Sequence, residues 1–194
     1  MRRLLPLLVL LFVLIAPLTA AAQVQCGIVN RIDFPVDPTR FRVMQDYGAQ
    51  SYRHQGRYHT GEDWYGGDGV GEYVRAIADG RVTFSSANGW GRDGGVIIIE
   101  HNFPDGSVAY SMYGHITDQT GVQFPAPFSC VQQGDVLAAV GDARPTPHVH
   151  LEIRTTNPDI PGAGYTWNFP ADEGLRRPTK FILNWQAWLS DAYR

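Results

Sequence analysis

Lysine is nearly missing from this 194-residue sequence: Lys180 is the only one, so arginine supplies the rest of 16 basic residues set against 19 acidic ones. The resulting net charge of −3 gives no electrostatic footprint for nucleic acid. Cysteine is scarce too, with only Cys26 and Cys130. Two thiolates alone make a poor metal site. After residue 22 there is no long apolar run. Between residues 43 and 154 no stretch keeps an amphipathic helical pattern for three turns, which excludes a helical bundle. Solenoid-length repeats, low-complexity tracts and a second domain are also absent, and the length suits one well-buried domain.

What is present begins with MRRLLPLLVLLFVLIAPLTAAA, residues 1–22. Two arginines, an apolar stretch and a small-residue A-x-A ending form the pattern of a secretory signal peptide, with cleavage expected after Ala22. Such a segment directs the chain to a secreted, periplasmic or cell-envelope location, and ties it to a membrane only if it stays uncleaved. Without Arg2 and Arg3 the remainder has 14 basic and 19 acidic residues, a net charge of −5. In an exported chain the two cysteines are expected to form a Cys26–Cys130 disulfide. Closing a loop of about 100 residues is worth about 4–5 kcal/mol on the chain-entropy view.

Residues 23–42 read as a proline-bearing lead-in, and residues 43–194 as the domain proper. From 43 to 154 the chain reads as short strands between glycine and aspartate turns: EYVRAIADGRVTFSS as two strands around a D-G turn, then GGVIIIEH, SVAYSMYGHI, DVLAAVG and HVHLEI. This predicts an all-β fold, a compact antiparallel sheet or sandwich. Residues 155–178, rich in Pro, Gly and Asn, read as a long excursion. The final PTKFILNWQAWLSDAYR predicts a short helix packing Phe181, Ile182, Trp185, Trp188 and Leu189.

Chemistry concentrates in the histidines. In PTPHVHLEIR, a period of two puts His148, His150 and Glu152 on one face of a strand and Val149, Leu151 and Ile153 on the other. The second set is an ordinary core face; two adjacent imidazoles need another reason. In YHTGEDW, His59 and Asp63 stand four apart, while Glu62 has the wrong parity to join them. Gly61 between them lets the backbone approach a ligand. His59, Asp63 and one histidine of the H-x-H pair would give three protein ligands and an open fourth position, the arrangement of catalytic zinc. The other histidine of the pair would then stand beside the metal to handle protons. His101 reads as structural or as a support behind the site, Glu152 as a support or a surface residue rather than a ligand, and His54 as a loop residue. Trp64 and Trp90 read as packing or groove-lining aromatics.

Taken together, YHTGEDW, AIADGRVTFS, GGVIIIEH, YSMYGHI, VQQGDVLAAVG, PHVHLEIR and RPTKFIL resemble the lysostaphin-type (LytM-like) zinc metallopeptidases over about Gln45 to Leu183. That resemblance implies the duplicated hybrid motif fold and one Zn²⁺ per chain held by His59, Asp63 and His150. It implies catalytic roles for His115 of YGHI and for His148; sequence leaves open which of the two is the general base, and His115 is the candidate taken first. The implied activity is hydrolysis of peptide cross-links of bacterial peptidoglycan. The family often uses a tyrosine ahead of the first ligand, and Tyr52 and Tyr58 both stand there. The excursion after HVHLEIR is longer than a minimal family core and is expected to wall one end of a groove. Rival readings are a zinc endopeptidase acting on a glycine-rich extracellular protein, and a non-catalytic regulator of other wall hydrolases. The regulator reading conflicts with the complete set of five residues. A biotinyl- or lipoyl-carrier reading of AIADGRV and QQGDVLAAVG fails because Lys180 lies outside both turns.

Overall fold

The computed structural model describes residues 25–119, 121–156 and 159–192, so the signal-like segment 1–22 lies outside the described residues. In chain order the strands are β1 Phe41–Gln45, β2 Gln50–Ser51, β3 Arg57–His59, β4 Glu62–Gly66, β5 Tyr73–Arg75, β6 Gly80–Ser86, β7 Gly95–Asn102, β8 Val108–Thr117, β9 Cys130–Val131, β10 Val136–Val140, β11 Val149–Arg154, β12 Tyr165–Thr166 and β13 Leu175–Arg176. One helix, α1 Pro178–Ala192, follows. The strands pair antiparallel in a main sheet whose path runs β1-β4-β11-β8-β7-β6-β9, with β13 beside β11 and β10 joining β8 to β5. A small second sheet is ordered β12-β3-β2. The expected antiparallel β fold with a short C-terminal helix is therefore what the chain adopts. Among the described residues no helix is long and apolar enough to cross a membrane.

The alternation in HVHLEI places its apolar half as expected: Val149, Leu151 and Ile153 sit in the core beside Ile97, Ile99 and Tyr113. The lead-in contributes Val29, Ile32 and Val36 to the same core, and Cys26 is bonded to Cys130 across 104 positions. Helix α1 closes one side with Ile182 and Leu189 buried, each worth about 1.5–3 kcal/mol. Phe181 and Trp185 pack partly buried on Phe103, whereas Trp188 reaches outward to solvent and touches only Trp185 among the aromatic contacts. Pro178 suits the first helical turn, where its missing N–H is no loss. Buried Glu62 accepts from both the backbone N–H and the hydroxyl of Thr179 (3.0 and 2.6 Å), satisfying a free donor of that turn.

The two strands expected around the D-G of AIADGRV are β5 and β6, and they do not pair with each other: β5 pairs with β10, while β6 pairs with β7 and β9. Ala76, Ile77 and Ala78 are fully buried instead, and the Ile77 N–H donates to the Tyr113 hydroxyl at 2.9 Å. An apolar connection with its backbone donor satisfied inside the core passes through the domain, and a solvent turn would have left those three side chains exposed.

Candidate metal centre

Three neighbouring strands of the main sheet build the site. Register pairs His150 of β11 with Asp63 of β4 on one side and with Gly114 of β8 on the other. His59 comes from the small sheet, at the end of β3. The two residues Thr60 and Gly61 carry the chain from β3 into β4, so the four-residue spacing spans a junction of two sheets. Gly61 is needed there: a Cβ would lie 2.2 Å from the Leu151 carbonyl oxygen and 2.9 Å from His150 Nε2. Glu62 turns away to the helix, as its parity requires.

The result is a cluster in which His59, Asp63 and His150 offer ligand atoms within 4.8 Å of one another, all three side chains buried. His59 Nε2, His150 Nδ1 and Asp63 Oδ1 form a triangle with edges of 3.0, 2.7 and 3.2 Å. Ligands at 2.0–2.1 Å around a tetrahedral zinc ion would be separated by about 3.3 Å, so the triangle is near one face of such a tetrahedron. Tautomers support the same use. His59 Nδ1–H donates to the Asp46 carbonyl, and His150 Nε2–H donates to Glu152 Oε1 at 3.0 Å, which leaves a lone pair on each facing nitrogen. In the neutral rings two lone pairs and a carboxylate oxygen converge on one point, an arrangement that calls for a cation between them: the proton His150 holds there, or a metal ion in its place.

The field around the cluster is cation-seeking. Burial disfavours a charged imidazole, yet Asp63 and Glu152 raise His150 to about 9. Burial likewise opposes ionisation of the two acids, but the His150 and His59 contacts hold Asp63 well below the usual carboxylate range. Arg154 and His150 hold Glu152 at about 2. Glu152 is fully buried and also accepts from the Thr60 hydroxyl and from Arg154 Nε. Arg154 in turn donates to the carbonyls of Ile160 and Pro161. A buried ionic column thus runs from the cluster to the excursion after β11.

His148 and His115 flank the triangle. His148 Nδ1–H donates to the Thr146 carbonyl at 2.8 Å, and its Nε2 stands 3.5 Å from Asp63 Oδ2. Tyr65 stacks on its ring at 4.5 Å. His115 Nδ1–H donates to the Asp93 carbonyl at 2.7 Å, and its ring centroid is 4.5 Å from that of His148. Strand parity alone would turn His115 away, since Gly114 shares the row of His150. A register shift between Gly95 and Val96 opposite this point, together with a left-handed φ of 58° at His115, accompanies its turn back towards the cluster. Gly114 leaves room for Trp90, whose ring would otherwise meet a Cβ at 2.2 Å. Trp90 lies edge-on to both His115 and His150 and donates Nε1–H to the Gly162 carbonyl.

The five sequence-derived residues therefore meet in one groove of about 450 Å³. Its far wall is Gly162 to Tyr165, from the excursion expected to fill that role. Some readings change. His54 is not a bystander in a loop: it lines the groove, stacked at 3.6 Å on Tyr165. Tyr52 is almost fully exposed and Tyr58 packs edge-on against Phe169, so neither lines the groove. The tyrosines that do are Tyr65 and Tyr165, the latter accepting from Gln45 Nε2 at 2.8 Å. No short-range pattern marks Tyr165, because it arrives from more than 100 residues away. Trp64 is core packing and Trp90 is groove wall. His101 lies buried elsewhere, between the Asp79 carbonyl and the Ser111 hydroxyl.

Comparison with known proteins places these features in a wider group. Residues 57–161 match Peptidase family M23. Lysostaphin from Staphylococcus simulans shares the fold with a TM-score of 0.59 at 16% identity, over 82% of this chain and 56% of that one. Its catalytic domain alone gives 0.54 at 18% identity, covering 73% of this chain and 92% of that one. The catalytic domain of the prophage-encoded M23 protein EnpA from Enterococcus faecalis, as a point variant, gives 0.50 at 24%, with 69% and 92% covered. Comparison with curated protein sequences gives no match.

Proposed function

The chain belongs to peptidase family M23, and on that premise we propose that it is an exported zinc endopeptidase that hydrolyses peptide cross-links of bacterial peptidoglycan. The observation that carries the reading is the convergence of the His59, Asp63 and His150 lone pairs at 2.7–3.2 Å, with two more imidazoles beside them in an open groove. A zinc ion on those three ligands would supply Lewis acidity, polarising the scissile carbonyl and acidifying water towards a pKa of about 7. The remaining chemistry belongs to the side chains. Burial and the neighbouring imidazoles push His115 down to about 4, and burial lowers His148 as well, so both rings are neutral at neutral pH. Each has its Nδ1–H committed to a backbone carbonyl and its Nε2 lone pair free to accept a proton. His115 and His148 share the two transfers of the reaction: removal of a proton from the attacking water, and its return to the leaving amine. Segment 1–22 delivers the chain to the wall.

The test is digestion of purified peptidoglycans of different cross-bridge types, with mass analysis of the released fragments, with and without a chelator. Release that stops on chelation and returns with Zn²⁺ is expected. Alanine at His59, Asp63 or His150 should abolish zinc binding and hydrolysis together, whereas alanine at His115 or His148 should keep stoichiometric zinc and lose hydrolysis. Release that survives chelation refutes the reading. A protein that binds no stoichiometric zinc belongs instead to the regulator class.

A further inference from the structure

The groove that holds the histidine cluster carries two guanidinium groups with no assigned task. Arg53 lies in the turn before β3, on the side of His54 and Tyr165. Arg144 lies in the connection before His148, and it also lines a second depression with Asp93, whose carbonyl holds His115. Both are exposed, and among the described residues neither has a hydrogen bond or a carboxylate within 4 Å. The contrast with other arginines is informative. Arg40 pairs with Glu72 and Asp68, Arg81 with Glu100, Arg154 with Glu152, and Arg177 with Asp46. Among the described residues Arg31, Arg42, Arg57, Arg75, Arg92 and Arg176 also lack a carboxylate partner, but none of them lines this groove.

The groove offers few charges to set against them. Asp63 is committed to His59 and His150, which leaves Asp93 as the other carboxylate on its walls, more than 4 Å from Arg144. A guanidinium presents a rigid fork of donors that matches a carboxylate in two parallel hydrogen bonds. A neutral glycine chain would offer it carbonyl oxygens only. We propose that Arg53 and Arg144 are specificity-determining residues that bind carboxylate groups of the substrate on the two sides of the scissile bond, making the preferred substrate an acidic peptide rather than a neutral glycine-rich one. This rests on the peptidase reading of the groove and names the substrate class for it.

The experiment compares a peptide bearing free carboxylates on both sides of the scissile bond with its carboxamide twin, using the zinc-loaded chain. Wild type is expected to favour the acidic peptide by about tenfold or more in kcat/KM, mostly through KM, the size of one charged hydrogen-bond pair. Arg53→Gln and Arg144→Gln should each lower that ratio, and the double variant should bring it near one. Arg53→Glu/Arg144→Glu should invert it. Binding of both peptides, followed by tryptophan fluorescence with Trp90 in the groove wall, runs alongside. Wild type that hydrolyses the twins equally overturns the inference and leaves the zinc-peptidase reading standing, as does a ratio unchanged in the double variant. Arginine-dependent binding of the acidic twin without hydrolysis of either overturns the peptidase reading and the scissile-bond placement with it, and leaves only carboxylate binding by the two arginines. Absence of both binding and hydrolysis overturns both.

Discussion

Replacing Glu152 with glutamine tests whether the buried carboxylate behind His150 orients a metal ligand. Its two oxygens accept three hydrogen bonds: from His150 Nε2 and the Thr60 hydroxyl on one side, and from Arg154 Nε on the other. A glutamine amide of the same shape has only one acceptor end. With its NH₂ towards Arg154, donor faces donor and the guanidinium loses its counter-charge, at a cost of about 3–5 kcal/mol for breaking a buried pair. The lower end applies, because Arg154 keeps the Ile160 and Pro161 carbonyls. With its NH₂ towards His150, the imidazole must accept at Nε2 and carry its proton on Nδ1, the nitrogen that faces Asp63 and His59. That removes the lone pair a metal would use. Either way zinc affinity should fall by about 10–100-fold, the usual effect of losing such a partner, or about 1.4–2.7 kcal/mol. Competition against a chromophoric chelator reads the affinity, and urea unfolding of the chelator-treated protein reads stability. The double variant Glu152→Gln/Arg154→Met separates the two effects. Removing both charges should recover most of the stability, and zinc affinity should stay low. Glu152→Gln with wild-type zinc affinity would refute the reasoning.

Three further outcomes are expected. His115→Gly should unfold at the same or higher urea concentration than wild type while losing hydrolysis, because a φ of 58° costs a residue with a Cβ about 1–2 kcal/mol; clear destabilisation would contradict the account of a strained site. His101, which burial pushes down to about 4, binds its proton less readily in the folded than in the unfolded chain. Its stabilising effect is therefore complete above pH 6.5 and is lost as pH falls through that value towards 4, by roughly 3 kcal/mol, and wild type minus His101→Gln in urea melts at pH 7.5 and 4.5 isolates it. Reducing Cys26–Cys130, or replacing both with serine, should cost up to about 4–5 kcal/mol from the 104-residue separation, and a loss of under about 1 kcal/mol in urea unfolding would count against the entropic account.

Much of the site was legible because its signals are local. The H-x-H pair, the four-residue spacing of His59 and Asp63, and the wrong parity of Glu62 each follow from strand period and short separations. What could not be read depends on distant packing. His115 defeats parity, since only the bulge opposite Gly95 and Val96 turns it towards His148. His54 and Tyr165 meet through strand β12, which pairs with β3 across more than 100 residues. AIADGRV shows two strands around its D-G, but not that each pairs with a distant strand rather than with the other. The fold class survived such local errors because the alternation of β11 and the apolar run of β7 are strong enough to set the sheet.

The energetic pattern of the molecule argues for the same chemistry from a different direction. A core built for stability alone would fill the row Asp63–His150–Gly114 with apolar side chains. Here it holds a carboxylate and two imidazole lone pairs in mutual contact, a buried Glu152–Arg154 pair behind them, and a left-handed histidine beside them. A buried ion pair of this kind is often no better than an apolar pair of equal volume, and the left-handed residue adds about 1–2 kcal/mol of strain. None of this strengthens the sheet. Every one of these costly features orients a group towards the same point in the groove: Glu152 sets the His150 tautomer, Arg154 holds both Glu152 and the Ile160–Pro161 backbone that leads into the groove wall, and the bulge aims His115. Features aimed so consistently at one point fit a site able to hold a metal cation between three converging donors.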